Sequence, residues 1–160
     1  MTLDPRPPRS SFTTMTEYVL PTHANAYGNV FGGQVMAWMD LCAAICAQRH
    51  TGSICITAGV DDLSFDQPIK VGQVVRFSAR VIAAFRTSIE IECKVEGEDA
   101  MTGSTWPCVS AFLTFVSVDA SLRPTAAPPV LYETDEERAM AAHAEERRAQ
   151  RLTKRRPPRG

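Results

Sequence analysis

The apolar run from Phe31 to Ala47, opening on Gly32-Gly33 and carrying one acid, Asp40, constrains this chain more than any other segment. Its length and composition are those of a buried helix. A charged group there is expensive unless it is paired or has a task. The run predicts a helix from about Phe31 to His50, with Asn29 or a nearby group capping its start and Gly52 just beyond its end. At helical spacing Val35, Met39, Cys42 and Cys46 form one apolar stripe, and Trp38, Leu41 and Ile45 a second beside it. A helix apolar on nearly all sides has to be wrapped by other structure. Asp40 falls on the remaining flank with Ala37, Ala43, Ala44 and Ala47, whose small side chains leave space for a pocket.

Strand patterns supply the wrapping. Phe12 to Leu20 has the composition of a strand, and after the helix strand patterns alone follow as far as Val118, which argues for an antiparallel sheet rather than β-α repeats. Ile54, Ile56, Ala58 and Val60 share one parity, whereas Leu63 and Phe65 have the other, so a bulge or sharp bend is expected at Asp61-Asp62. Residues 75–85 and 89–95 alternate as a hairpin with one wet face, carrying Arg76, Ser78 and Arg80 opposite Glu90, Glu92, Lys94 and Glu96. Cys108 to Val118 is apolar on both parities, the pattern of an interior strand. Residues 1–11 read as a disordered tail, 12–124 as the folded domain, and 125–160 as a proline-rich exit followed by a charged helix, Thr134 to Leu152, and a solvated basic tail. That helix is a solvated arm, a packing element or a lure for an acidic partner; composition leaves these open.

A net charge of -1 gives no overall pull toward nucleic acid or a membrane surface, and the arginines near the C-terminus are a local feature. No apolar leader is visible, and the expectation is a cytoplasmic protein. The cysteines Cys42, Cys46, Cys55, Cys93 and Cys108 include no C-x-x-C pair and read as small buried hydrophobes. His23, His50 and His143 have no ligand spacing and read as surface groups, so neither a metal nor another cofactor is expected. Patterns of serine hydrolases, nucleotide loops and dinucleotide folds are lacking.

Four segments together carry a resemblance. His23-Ala-Asn-Ala-Tyr-Gly-Asn-Val-Phe-Gly-Gly-Gln-Val-Met-Ala-Trp-Met-Asp40 resembles the signature of hotdog-fold acyl-CoA thioesterases of the YciA and brain acyl-CoA hydrolase type. The run from Thr57 to Gly72, Arg86-Thr87-Ser88, and Ala111 to Asp119 agree with it, so that residues 15–124 are covered. The resemblance implies an α+β hotdog fold: a five- or six-stranded antiparallel sheet wrapped around one long central helix, here with an extra C-terminal helix. It also implies homodimers, often as trimers of dimers, with acyl-CoA sites between subunits. Asp40 matches the helix acid and Asn25 the loop amide, from opposite sides of that interface. The family usually has Gly before its Arg-Thr-Ser element, and here Phe85 stands there, which bears on the coenzyme A contact.

The chemistry also follows from the residues. Thioester hydrolysis needs a donor for the oxyanion and a group that activates water, and the first amides of a helix point outward at its positive end. Gly32 and Gly33 leave those amides bare, so a thioester carbonyl can rest on the Gly33 amide while Asp40, two turns deeper, serves as base or as nucleophile. Asn25 can hold the water or the carbonyl in line. The phosphates of coenzyme A would meet Arg86, Thr87 and Ser88, with Lys70 in the preceding turn. Plainer roles stay open: Asp40 bonded structurally, the glycines admitting close packing, Asn25 shaping a turn, Lys70 simply solvated. An acyl-CoA sensor that binds without turnover is the alternative function, whereas a hotdog hydratase would want a histidine that this helix lacks before His50.

Overall fold

Phe31 ends the loop before the long helix and supplies no side-chain cap, so the helix α1 runs Gly32–Thr51 from an uncapped start. Asn29 does not cap it; its amide is instead bonded to the side chain of Asn25. At the other end Gly52 adopts φ 70°, a left-handed turn, and its N–H donates to the Gln48 carbonyl at 2.8 Å. The computed structural model describes residues 2–155, and the terminal arginines Arg156 and Arg159 lie outside the described residues.

Five strands, β1 (Thr13–Tyr18), β2 (Ile54–Phe65), β3 (Val74–Ala84), β4 (Ser88–Glu98) and β5 (Thr105–Val118), form one antiparallel sheet in the order β1-β3-β4-β5-β2. All four strand pairs are antiparallel, as the alternation suggested, and β5 lies between two neighbours as its two apolar parities require. One face of the sheet closes on α1: Val35, Trp38, Met39, Cys42, Cys46 and Ala47 pack against Val75, Phe77, Ile91, Leu113 and Phe115. Wrapping is nevertheless one-sided within this chain. Met36 remains exposed, as does Leu41, so the second stripe expected on α1, with Trp38 buried and Leu41 open, is only partly covered.

The edge strand β2 departs most from simple alternation. Its register against β5 slips between Asp61 and Ser64, where Asp62 takes φ 51°, at the site the parity switch marked. A further slip between Thr57 and Gly59 has no such signal. Two extra residues turn Cys55, Thr57, Val60 and Leu63 toward α1, while Ile54 and Ile56, which share the parity of Val60 in the sequence, stay exposed opposite Val118 and Val116.

The opposite face of the sheet is roofed by α2 (Asp135–Thr153), capped at Thr134 by a reciprocal bond with Glu137. The hairpin face expected to be wet is therefore partly dry. Glu90 is fully buried there, bonded to Arg147 at 3.1 and 2.8 Å, and Ala144 packs on Ile82 and Ala83. Of the roles left open for this helix, the described residues show packing. Nor is the N-terminal segment a free tail: Arg6 pairs with Val130 as a β-bridge and donates to the His50 carbonyl at 2.7 Å, and Pro8–Ser10 forms a 3-10 turn. Among the described residues no helix is long and apolar enough to cross a membrane.

Candidate active site

Between α1 and the β2–β5 edge lies a cavity of about 320 Å³ lined by Gly33, Met36, Ala37, Met39, Asp40, Thr57, Val60, Leu63, Ala111 and Leu113. That volume is in the range of small-molecule sites, and the lining is apolar but for two side chains. Gly33, Met36, Ala37 and Asp40 are spaced three, four and seven residues apart, so one side of the helix supplies them all. Ala43 and Ala47, expected on this flank, are instead packed into the core.

Asp40 is half-buried rather than enclosed. Its Oδ1 accepts a hydrogen bond from the Thr57 hydroxyl at 2.6 Å, and no lysine or arginine among the described residues pairs with it. The carboxylate is thus held in one orientation by a neutral donor, with Oδ2 free to accept from a molecule in the cavity. Thr57 is the partner that sequence reasoning missed. The bulge after it turns Val60 to the same side, whereas plain alternation would place Thr57 and Val60 on opposite faces.

Gly33 is exposed at the rim. A Cβ built on it would meet nothing within 4 Å, so packing inside this chain does not require glycine there. Gln34 and Val35 N–H groups already bond the Phe31 carbonyl, which leaves the Gly33 N–H as an unused donor at the positive end of α1. At Gly32 a Cβ would instead meet the Phe65 ring at 3.5 Å, an ordinary van der Waals contact.

Asn25 stands in a tight loop beside the start of α1 and outside the cavity. Its Oδ1 accepts from the Tyr27 and Asn29 N–H groups at 2.9 and 3.2 Å, so the turn role is real. Those two bonds also fix the amide orientation and leave Nδ2 as the outward donor. Lys70 joins this end through a bridge to Asn29, with its side chain exposed. Arg86 and Thr87 lie in the β3–β4 turn and Ser88 opens β4, at the opposite end of the sheet, separated from Lys70 by the length of β3, about 35 Å. One chain therefore gathers Asp40 and Gly33 at one cavity, Asn25 and Lys70 beside it, and Arg86 far off. Phe85, the residue that departs from the family pattern, carries the Arg148 guanidinium on its ring at 4.7 Å.

The remaining candidates are structural. Burial pushes the Cys46 thiol up to about 12 and raises Cys55 and Cys108 in the same direction, away from the reactive thiolate. His50, expected at the surface, is fully buried with Nε2 3.0 Å from the Pro128 carbonyl. No three metal-ligating side chains cluster among the described residues.

Comparison with known proteins agrees with this geometry. Residues 27–104 match the family model "Thioesterase superfamily". The acetyl-coenzyme A thioesterase of Rattus norvegicus is 38% identical over 138 residues, 86% of this chain and 25% of that protein, so the chain spans about a quarter of that relative's length. The uncharacterized acyl-CoA thioester hydrolase YkhA of Bacillus subtilis is 32% identical over 92% of this chain and 86% of its own length. Among solved structures, an apo-hexameric acyl-CoA thioesterase superposes with a TM-score of 0.88 at 33% identity, covering 96% of this chain and all of that one. The Staphylococcus aureus acyl-CoA hydrolase, in complex with butyryl coenzyme A, coenzyme A and coenzyme A disulfide, superposes with a TM-score of 0.84 at 30% identity over 92% and 93% of the two chains. Forms of that enzyme with one aspartate, one asparagine or one threonine changed to alanine are also known. With a long first helix held in a five-stranded antiparallel sheet and relatives of this identity over nearly its whole length, the chain belongs to the hotdog-fold acyl-CoA thioester hydrolase family.

Proposed function

We propose that this protein hydrolyses acyl-CoA thioesters to a free carboxylic acid and coenzyme A. The observation that carries the reading is the Asp40–Thr57 pair in the wall of an apolar cavity whose rim holds the unused Gly33 amide. The thioester carbonyl rests on that amide, where negative charge developing on oxygen is stabilised by a donor already in place. Gly33 and Asp40 are seven residues apart, about 10 Å along the helix. This span leaves room for the carbonyl and one water between the helix start and the carboxylate. On this reading Asp40 is the general base: it takes a proton from water as the water oxygen adds to the carbonyl carbon, and the tetrahedral intermediate collapses with release of the thiolate.

The complete site is formed by two copies. Apolar side chains exposed along the β2 edge and the open side of α1, Leu41, Ile54, Ile56 and Phe65, suit burial against a second chain. A two-fold axis there sets the ends of the two subunits alongside each other in opposite directions. Asn25 then offers its Nδ2 donor to the partner's cavity, and Lys70 with the Arg86-Thr87-Ser88 turn faces the coenzyme A phosphates. The substituted aspartate, asparagine and threonine of the S. aureus enzyme are spaced along its chain as Asp40, Asn25 and Thr57 are here, which supports this choice of residues. Neither metal nor redox group enters the reaction as drawn. Five free thiols fit a reducing compartment and hence the cytoplasm. Thiol release measured across short, medium and long acyl-CoAs tests the proposal; acyl-CoA binding without release would mark a sensor instead.

A further inference from the structure

Strand β2 provides Thr57, Val60 and Leu63 to the cavity, and its two register slips decide which of its side chains face inward. The second slip is tied from the outer face of the sheet. At the second slip, Asp61 points away from the cavity to the outer face, and its Oδ2 accepts from Arg151 Nη1 of α2 at 2.6 Å. The same nitrogen donates to Glu90 Oε1 at 3.2 Å. Glu90 lies on β4, two strands away and fully buried, and it is held independently by Arg147, whose guanidinium stacks on Phe112 at 3.6 Å. Arg151 thus ties the slipped segment of the edge strand to a fixed anchor in the middle of the sheet.

We infer that Arg151 and Asp61 are positioning residues for hydrolysis: the C-terminal helix fastens the β2 slip from outside so that Thr57 and Val60 keep their places inside. This rests on the thioesterase reading and extends it. Asp61 adjoins Val60, and Thr57 orients the Asp40 carboxylate, so slack at Asp61 reaches the base through a single strand segment. A misplacement of about 1 Å at a catalytic group is enough for large rate losses.

The test uses the full chain with Arg151→Ala, Asp61→Asn, the double variant and Arg151→Lys. Both single variants lower kcat about tenfold and leave the melting temperature in place, because the Glu90–Arg147 pair still docks α2; amide exchange over residues 60–64 quickens in both. The double variant is no slower than either single one, since both remove the same tie. Arg151→Lys restores most of the rate, because one nitrogen makes both contacts. Replacing Arg138, whose pair with Asp135 lies on the exposed surface of the same helix, leaves the rate unchanged. Full kcat in Arg151→Ala, or additive losses in the double variant, overturns the inference while the thioesterase reading stands. Rate loss that merely follows a falling melting temperature also overturns it. Absence of thiol release by the unaltered chain overturns the thioesterase reading, and this inference with it.

Discussion

Asp40 and Glu90 lie on opposite sides of the same sheet and have opposite surroundings. On the inner side, Asp40 is half-buried, faces a cavity and has one neutral partner, the Thr57 hydroxyl. On the outer side, Glu90 has no exposed surface and two arginines share its oxygens. A carboxylate that accepts three hydrogen bonds from two guanidiniums has most of its acceptor sites filled and is committed to structure. One held by a single hydroxyl keeps an oxygen for chemistry. Burial alone therefore does not identify the working acid; what matters is how many of its acceptor sites the protein has already filled.

Neutralising each acid in turn tests this contrast most directly. Asp40→Asn is expected to cut kcat about a thousandfold, the range of a lost general base, with little change in a urea unfolding midpoint. Glu90→Gln should do the reverse, lowering stability by about 3 kcal/mol as Arg147 and Arg151 are left in a dry interface with a neutral partner; a urea titration reads it. If Asp40→Asn hydrolyses at the normal rate, the inner site has been misassigned.

Smaller effects sharpen the same comparison. Thr57→Val, which keeps the shape and removes the donor, should slow kcat about tenfold through loss of carboxylate orientation, with KM nearly unchanged in steady-state assays. His50, at the far end of α1, gives a pH signature. Burial, only partly opposed by the bond to Pro128, holds its imidazole below the ordinary 6.5, so in acid the unfolded chain takes a proton that the native one does not. Stability is then unaffected by His50 above about pH 6.5 and falls as the pH drops below it. His50→Gln should flatten that slope in urea titrations across the acid range. Gly33→Ala is expected to have the smallest effect on folding, a gain of about 0.5 kcal/mol from helix propensity, yet hydrolysis should slow as the methyl group shields the amide. A faster Gly33→Ala enzyme would break the oxyanion assignment.

Much of this was legible in the sequence because it is periodic. The helix stands within one residue of its expected span, ended by Gly52, and the antiparallel sheet needed only alternation and the absence of intervening helices; the strand order, which sends β2 to the far edge beside β5, was not legible there. Asp40 was visible as one acid in an apolar run. Thr57 was not, because the slip after it reverses the apparent parity of β2 and nothing in Ala58 announces a bulge. The enclosure of His50 and Glu90 depends on segments distant in the chain, the 128–130 return and α2, which local pattern cannot place. Spacing also concealed that the Arg86 turn and Lys70 occupy opposite ends of one long hairpin.

The two extra residues of β2 make its length a carrier of information. Because side chains in a strand alternate, shortening this one by a single residue at either irregular step would reverse the aim of everything beyond it up to the next step. A deletion at the step beside Thr57, changing no composition that matters, would turn Val60 outward and offer a charged neighbour to the cavity in its place. Substitutions along this edge can be gradual in effect, but changes in residue count cannot.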